Sequence, residues 1–432
     1  MPQKKALYHT FGCKLNFAET ATIAQLFKDE GVESVGDGEV PDLIVINSCS
    51  VTAEADRKCR SFIRGLNRKY PNASILVTGC YAQLKPQELA ALKGVEVVAG
   101  INNKLALVDY ARNLSADGAV RVEVPEAKSL TAFMPGCSRG DRTRFFLKVQ
   151  DGCDYWCSYC TIPKARGRSR SGSIPEIVEQ ARNAAAQGGK EIVITGVNIG
   201  DFGKGTEHNF LDLCWALDEV EGIERYRISS IEPNLLTDEL IEFAASSKKF
   251  MPHFHIPLQS GSDAVLKLMR RRYDTELFAA KIAKVRSLIP DAFIGVDLIV
   301  GARGETDEEF QKSKAFVESL DISHLHVFSY SERPGTKALE IEHVVDQHTK
   351  GLRSAAMHSV SADKHRRFAE RFLGTERPVL LEHSFPGKPL GGFTDNYLRV
   401  EVDLPQEYDN TLVRVRLDTL KSDGETFTAS LV

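Results

Sequence analysis

The sequence contains no apolar run long enough to cross a membrane. Its longest runs, such as Leu43–Ile46 and Ile192–Ile194, are far shorter than the roughly 18 residues that a span requires. Met1–Thr10 carries lysines but lacks the apolar core of a signal peptide. Neither sign of charge dominates, because 55 basic and 59 acidic residues leave a formal charge of −4. We therefore expect a cytoplasmic protein without a membrane partner, and the charge neither requires nor excludes binding to nucleic acid.

Internal repeats and low-complexity tracts are also missing, and nine cysteines in so long a chain do not suggest a disulfide framework. A hydrophobic content of 42% and a charged content of 26% exclude a disordered chain, a collagen and a coiled coil. The length of 432 residues suggests about three domains. In a cytosolic enzyme, clustered cysteines more often bind metal or take part in chemistry.

The first 125 residues alternate between short β-branched runs and helical stretches, which predicts a parallel sheet with helices on both faces. The predicted strands are Ala6–Thr10, Leu43–Ile46, Ile75–Thr78 and Val95–Ala99. The predicted helices are Phe17–Asp29, Ala53–Lys69, Gln87–Leu92 and Lys104–Leu114. The polar stretch Val124–Arg144 then looks like a linker.

A second alternating series predicts a partial barrel of six strand–helix units, in which functional groups lie at the carboxyl ends of the strands. Its predicted strands are Phe145–Gln150, Glu191–Val197, Arg225–Ile231, His253–Gln259, Phe293–Val300 and His324–Ser329. A long helix is predicted over Val344–Phe372.

The last 60 residues alternate apolar and polar residues between short turns, which predicts a small antiparallel β-barrel. Its predicted strands are Pro378–His383, Tyr397–Val402, Leu412–Leu417 and Phe427–Leu431. The predicted fold class is therefore α/β with three domains: an N-terminal parallel-sheet domain at 1–125, a partial (β/α)6 barrel with its linker and trailing helix at 126–371, and a small antiparallel barrel at 372–432.

Three cysteines at CxxxCxxC spacing, Cys153, Cys157 and Cys160, follow the first strand of the second series. Thiolates are soft ligands, and a short loop can wrap three of them around one 4Fe-4S cluster. Three ligands leave one iron open, as a reacting ligand requires. The alternative is a zinc knuckle, but no fourth Cys or His follows closely.

Three further cysteines, Cys13, Cys49 and Cys80, each follow a predicted parallel strand. They should therefore meet at one edge of the sheet, where open α/β sheets bind ligands. Gly12 and Gly79 would let the backbone approach closely. The alternative is that these cysteines pack as small apolar residues. We expect packing roles for the remaining three, Cys59, Cys137 and Cys214.

The loop Gly152-Cys153-Asp154-Tyr155-Trp156-Cys157-Ser158-Tyr159-Cys160 resembles the radical S-adenosylmethionine (SAM) superfamily. The two triads in this order resemble, over essentially the whole chain, the methylthiotransferases of that superfamily. This resemblance implies 4Fe-4S clusters on both triads, SAM on the open iron of the second triad, and a C-terminal barrel of the TRAM type. It also implies that Tyr159 packs against the cofactor.

Segments around the first triad, such as Gly12-Cys13-Lys14-Leu15-Asn16 and Gly79-Cys80-Tyr81-Ala82-Gln83, are most similar to the branch that modifies N6-threonylcarbamoyladenosine in tRNA. The resemblance implies addition of a methylthio group to carbon 2 of this base beside the anticodon. A radical is needed because no acid–base pair at pH 7 can remove that hydrogen as a proton. The implied partners are a tRNA anticodon stem-loop and an electron donor of the flavodoxin or ferredoxin type, and we expect a monomer.

The resemblance also places a SAM pocket. Gly189 and Glu191 look like the segment that receives the amino group of SAM, and Ser229 lies where the ribose is usually met. Gln259 and Asp297 complete the predicted pocket, although Glu191, Gln259 and Asp297 could each be purely structural. One departure lies after the fifth barrel strand, where Gly301-Ala302-Arg303-Gly304-Glu305-Thr306 replaces the usual Gly-Phe-Pro-Gly-Glu-Thr.

Basic residues cluster after the second triad, whereas the TRAM-like segment from Phe372 to Val432 has 6 basic and 10 acidic residues. We therefore predict an RNA-facing groove beside the cluster loop, formed by Lys164, Arg166, Arg168 and Arg170. The run Arg270–Arg272 could extend it. Alternatively, these arginines pair with Asp151, Asp154 or Glu176 and hold the loop in place.

Two rival functions remain at this point. The first is modification of an aspartate in a ribosomal protein, which would make the chain insensitive to tRNA. The second is a redox or sulfur-carrier protein that binds two clusters without radical chemistry, and such a protein would not cleave SAM when reduced.

Overall fold

The N-terminal part forms a parallel sheet in the order β2-β1-β3-β4-β5-β6. The computed structural model describes residues 4–36, 38–114, 118–138, 143–384 and 387–432. The four predicted strands are present, and two short edge strands, β2 and β6, extend the sheet. The bounds are β1 Lys5–Thr10, β2 Glu33–Ser34, β3 Leu43–Ser48, β4 Ser74–Gly79, β5 Val95–Ala99 and β6 Arg121–Glu123. Edge strands of two or three residues are too short to produce a periodic signal.

Helices cover both faces of this sheet. Ile44 and Ile75 pack towards α2, whereas Val45 and Leu76 pack towards α1, so the strands are apolar on both sides. The bounds are α1 Lys14–Asp29, α2 Ala53–Lys69, α3 Cys80–Leu84, α4 Pro86–Ala90 and α5 Leu107–Arg112. The helix α2 has the predicted limits, whereas α3 was not predicted and begins at a cysteine of the first triad.

The second series forms a partial barrel. The strands β8, β11 and β12 pair in parallel, as do β13, β14 and β15, and a bridge between Ser230 and His255 helps to join the two groups. The bounds are β8 Phe145–Lys148, β11 Glu191–Thr195, β12 Arg225–Ile228, β13 His253–Gln259, β14 Phe293–Val300 and β15 His324–Ser329. All of the predicted strands are therefore present in their predicted order.

Short strands surround this barrel. Within the predicted linker, β7 (Gly136–Ser138) pairs antiparallel with β8, and β9 (Gln150–Asp151) pairs antiparallel with β10 (Arg170–Ser171). The helices on the outside are α6 Ile162–Arg166, α7 Ile174–Ala186, α8 Phe210–Asp218, α9 Asp238–Ser246, α10 Asp263–Leu268, α11 Thr275–Leu288, α12 Asp307–Ser319 and α13 Gln347–Glu370. Among the described residues, we find no helix with the length and apolarity that a membrane crossing demands.

The C-terminal part is a closed barrel in the order β16-β17-β18-β20-β19. Its bounds are β16 Glu376–Glu382, β17 Leu390–Thr394, β18 Arg399–Val402, β19 Leu412–Leu420 and β20 Thr426–Leu431. Neighbouring strands are antiparallel except β18 and β20, which are parallel. The strand β17 was missed because Gly391 and Gly392 weaken strand propensity. A Cβ at Gly392 would overlap the carbonyl of Leu380, so the close approach of β16 requires glycine there.

Candidate functional site

The first cysteine triad lies at one edge of the N-terminal sheet, as predicted. Cys13 precedes α1, Cys49 follows β3 and Cys80 opens α3, and the strands before them are neighbours in the sheet. All three thiols are free. Burial, together with the nearby thiols of Cys80 and Cys13, raises the pKa of Cys49 to about 12. The three sulfurs therefore share one electrostatic environment.

Two glycines make this convergence possible. Gly12 and Gly79 have φ angles of +105° and +99°, which residues with a side chain rarely adopt. A Cβ at Gly12 would lie 2.9 Å from Sγ of Cys49, and one at Gly79 would overlap the carbonyl of Ser48. The expected close approach of the backbone at both glycines is thus confirmed.

The second triad lies on the loop between β9 and α6. Gly152 starts the loop with a φ of +69°, and a Cβ there would overlap the carbonyl of Arg168. The backbone N–H groups of Tyr155 and Ile162 donate to Sγ of Cys153 (3.3 Å) and of Cys160 (3.4 Å). Burial raises the pKa of Cys153 and of Cys160 to about 12, and these backbone donors oppose that rise by stabilising the thiolate, the form in which cysteine binds metal.

Arg271 lies against this loop, which the sequence did not predict. Its Nη1 donates to Sγ of Cys157 at 3.1 Å, and its Nη2 pairs with the carboxylate of Glu232. The side chain is only 4% exposed, so the suggestion that Arg271 belongs to an RNA-facing run is wrong. The oxygen of Tyr159 lies 3.4 Å from Nη1 of the same guanidinium, and its side chain packs against the apolar cluster that includes Met269.

The donor sets suit iron–sulfur clusters. In the described ranges, no three His, Cys, Asp or Glu side chains are placed to hold a single ion. A 4Fe-4S cluster differs in this respect, because each thiolate binds a different iron. Each triad offers three free cysteines on glycine-bent backbone, which fits such a cluster with one open iron.

A cavity of about 360 Å³ lies between the N-terminal sheet and the partial barrel. Cys13 and Lys14 line it on one side, and Thr195, Gly196 and Ser229 line it on the other. The latter three lie at the carboxyl ends of β11 and β12, where a barrel active site is expected. A cysteine of the first triad therefore faces the functional end of the barrel.

Two more of the predicted pocket residues lie on the barrel strands. Gln259 ends β13 with a φ of +66°, an unusual conformation that often marks a functional site. Asp297 lies on β14, and its Oδ1 is 2.7 Å from Nε2 of His255, which also lines the cavity beside Cys13. The roles of Ser229, Gln259, Asp297 and Tyr159 in binding SAM remain predictions.

Gly189 and Glu191 require a correction, because they lie at the amino end of β11, away from the cavity. Oε1 of Glu191 accepts a hydrogen bond from Nε of Arg227 at 2.8 Å, and the carboxylate is almost fully buried. Nη1 and Nη2 of Arg227 donate to the carbonyls of Asp395 and Thr394 in the C-terminal barrel. Glu191 therefore joins two parts of the fold, and the structure contradicts its predicted contact with SAM.

Asn198 lies beyond the carboxyl end of β11, and sequence reasoning did not single it out. Asn198 is buried, and neither its Oδ1 nor its Nδ2 has a hydrogen-bond partner among the described residues. Its backbone N–H donates to Oε1 of Gln150 at 2.8 Å. The strand direction could have shown this from the sequence. Gly189-Lys190-Glu191 lies at the start of the strand, whereas Gly196-Val197-Asn198 lies at its carboxyl end, where barrel active sites are found.

The predicted RNA-facing residues divide into two groups. Lys164 and Arg168 are exposed. Arg170 is mostly buried and pairs through Nη2 with Oδ2 of Asp151 at 3.1 Å. Arg166 is fully buried, so its predicted contact with RNA is wrong; its Nη1 donates to Oε1 of Glu19 (3.0 Å) and Oδ1 of Asp151 (2.9 Å). The alternative of loop-holding ion pairs therefore applies to Arg166 and Arg170.

Arg166 belongs to a buried network of charges that joins the N-terminal sheet to the cluster loop. Glu19 on α1 pairs with Lys104, Lys148 and Arg166, and all four side chains are at most 1% exposed. Although burial alone would raise the pKa of Glu19, Arg166, Lys104 and Lys148 hold it well below its usual range. Glu19 is therefore ionised in the folded protein.

Two family models match the chain. Residues 5–100 match a family described only as uncharacterized protein family UPF0004, and residues 147–317 match the radical SAM superfamily. The partial barrel and its three-cysteine loop define the class of the protein as a radical SAM enzyme, here preceded by a second three-cysteine sheet.

Named relatives align over nearly the whole chain. The threonylcarbamoyladenosine tRNA methylthiotransferase MtaB of Bacillus subtilis is 38% identical, over 95% of this chain and 93% of its own length. The protein of the same name from Thermotoga maritima is 38% identical over 92% and 91%. The tRNA-2-methylthio-N(6)-dimethylallyladenosine synthase of Syntrophotalea carbinolica is 33% identical over 88% and 89%. The chain belongs to the tRNA methylthiotransferase family of radical SAM enzymes.

Solved structures agree on the architecture. The radical SAM methyltransferase TsrM from Kitasatospora setae, solved with cobalamin and a [4Fe-4S] cluster, has a TM-score of 0.58 and covers 78% of this chain and 74% of its own. At 15% identity, this likeness shows the fold alone.

Proposed function

We propose that this enzyme adds a methylthio group to carbon 2 of N6-threonylcarbamoyladenosine (t6A) beside the tRNA anticodon. The observation that carries the proposal is the cavity in which Cys13 of the first triad faces the strand ends of the radical SAM barrel. The names of the relatives at 38% identity support t6A as the base. We also propose an electron donor of the flavodoxin or ferredoxin type, which the family resemblance implies, and a monomeric state.

When bound, two 4Fe-4S clusters and SAM would supply the carbon radical that removes the hydrogen from C2. They would also supply the sulfur and the methyl group that take the place of that hydrogen. We propose that Cys153, Cys157 and Cys160 hold the radical-generating cluster. The thiolates would accept hydrogen bonds from Arg271 and from the backbone of the loop. The buried side of this loop, closed by Tyr159, would exclude water from the reactive centre.

We propose that Cys13, Cys49 and Cys80 hold the second cluster. The buried network supports this role, because Glu19 lies on the helix that follows Cys13 and Arg166 lies on the helix that follows Cys160. Burial raises the pKa of the Cys80 thiol, and the positive charge of Arg166 opposes that rise. These ion pairs would hold the two triads at a fixed separation. Sulfur transfer from the first cluster to a substrate activated at the second cluster requires such a fixed geometry.

The base specificity and the rival functions are tested in one experiment. The reconstituted enzyme, SAM and a reductant are incubated with anticodon stem-loops that carry t6A or N6-dimethylallyladenosine. We expect 2-methylthio product from the t6A stem-loop alone, measured by nucleoside mass spectrometry, and loss of that nucleoside from cellular tRNA when the gene is deleted. Product only from the dimethylallyl stem-loop would contradict the base assignment. SAM cleavage without product from either stem-loop would favour the enzyme that modifies a ribosomal-protein aspartate, and absence of SAM cleavage would favour the carrier protein.

The exposed Arg168 provides a test of the RNA groove. Each phosphate contact steepens the dependence of log affinity on log salt by about one unit. Arg168→Ala should therefore flatten the slope for tRNA by about one unit, in binding titrations at several salt concentrations. Arg182→Ala on α7, where the arginine is exposed and pairs with Glu179, is the control and should leave the slope unchanged. An unchanged slope for Arg168→Ala would remove this residue from the RNA interface.

A further inference from the structure

A second cavity, of about 500 Å³, continues from the cavity beside Cys13 and shares Lys14 and His255 with it. It lies between the barrel strands β13–β15 and the C-terminal barrel. Its volume falls within the range of pockets that bind small ligands. The proposed chemistry at C2 does not use this space.

The walls of this cavity suit a flat ligand. Phe293 comes from β14, whereas Phe393 and Tyr397 come from the C-terminal barrel, with their two rings stacked at 4.7 Å between centroids. Tyr397 has a φ of +67°, a conformation that is strained for an aromatic residue, in the tight turn between β17 and β18. Nη1 of Arg144 donates to its hydroxyl at 3.2 Å and holds the ring in place.

The charge of the cavity is unbalanced. Lys14 and Arg399 line it, and neither has an ion-pair partner among the described residues, whereas Glu425 is the acid that lines the same space. The nearby cations Arg144 and Arg227 are already paired, with Glu382 and Glu191 respectively. An anionic ligand would restore the balance.

A buried polar atom also lacks a partner. His253 lines the cavity, is only 7% exposed, and its Nδ1 has no hydrogen-bond partner among the described residues. Burial lowers the pKa of His324 to about 3 and also lowers that of His326, so these two lining rings are neutral near pH 7. Lys14 and Arg399 are the lysine and the arginine that line the cavity among the described residues.

We propose that this cavity receives the acidic N6 substituent of the substrate adenosine, and that Lys14 and Arg399 determine specificity by pairing with its carboxylate. The inference rests on the proposed function, because t6A carries a threonine carboxylate on N6. The dimethylallyl group named for other members of the family is apolar and uncharged, so it would leave both cations unpaired. His253 supplies a further hydrogen bond to the same polar substituent.

The test measures how much the carboxylate of the substituent contributes to binding. Binding of the reconstituted enzyme is measured for anticodon stem-loops that carry t6A or t6A with its carboxylate blocked as a methyl ester. The native chain should prefer the acid by roughly tenfold or more, as expected for a charge-assisted hydrogen bond. Lys14→Met and Arg399→Gln should each lower this preference towards one, while affinity for the ester stem-loop stays unchanged.

Matched controls remove equivalent charges elsewhere. Lys28→Met lies on the same helix as Lys14, and Arg414→Gln lies on the same barrel as Arg399, where the arginine pairs with Glu376 instead of lining the cavity. Both controls should keep the full preference for the acid. Iron content and SAM cleavage are measured in every variant. If Lys14→Met loses iron because it is next to Cys13, Arg399→Gln decides the question.

The outcomes separate this inference from the function on which it rests. If the native chain does not methylthiolate t6A at all, the proposed function fails. If it does, but Arg399→Gln keeps the preference for the acid, the carboxylate site is wrong. Equal loss of affinity for both stem-loops would make Arg399 a phosphate contact and would also overturn the inference.

Discussion

Replacing Cys153, Cys157 and Cys160 with alanine should abolish both SAM cleavage and the methylthio product, whereas the same change at Cys13, Cys49 and Cys80 should abolish only the product. The reason is that the second triad is proposed to generate the radical and the first to provide the sulfur. The two activities are measured together, as 5′-deoxyadenosine and as methylthio nucleoside, by mass spectrometry.

Iron content provides the independent readout. The native chain should bind about eight irons and each triple variant about four, because each triad would hold one 4Fe-4S cluster. The control is Cys214→Ala, a buried free cysteine in the core of the barrel, which should keep both clusters. Full iron in the variant of the first triad would exclude the second cluster, and methylthio product from it would exclude its role in sulfur transfer.

Removing the carboxylate of Glu19 should destabilise the protein more than any exposed charge change. Glu19→Gln leaves Lys104, Lys148 and Arg166 buried with one acid fewer to pair with them. Breaking a buried ion pair on one side typically costs about 3–5 kcal/mol. Urea denaturation should show this loss, and the control Glu88→Gln, which breaks half-exposed pairs with Lys85 and Arg60, should lose less than about 1 kcal/mol.

The effect of Glu19 should depend on pH in a defined direction. The pKa of Glu19 is lower in the folded chain than in the unfolded chain, where a glutamate titrates at about 4.3. Its contribution to the free energy of unfolding is therefore complete above that pH and is lost as the pH falls below it. The difference in unfolding free energy between native and Glu19→Gln should shrink in acid. A double variant with Lys104→Met should recover part of the loss, and no recovery would contradict the charge argument.

Local sequence patterns were enough to predict most of the architecture and the positions of both cysteine triads. Short, continuous apolar runs alternating with helical stretches predict parallel strands that are covered on both faces, so β1, β3, β4, β5 and the barrel strands were predicted in order. The cysteine positions followed from the same logic, because a residue after a parallel strand must lie at the carboxyl edge of the sheet. The glycines at positions 12 and 79 marked the turns that bring the sulfurs together.

Only the tertiary structure decided what the charged residues do. Arg166 lies in a basic stretch of the sequence, but the acid that pairs with it, Glu19, is 147 residues away on α1 of the N-terminal part, so no local pattern could show that Arg166 is buried. Glu191 was predicted to contact SAM although it begins its strand, and Arg271 was read as a surface charge although it contacts Cys157. Strand and helix periodicity is set by neighbouring residues, whereas ion pairing depends on which distant segments the fold brings together.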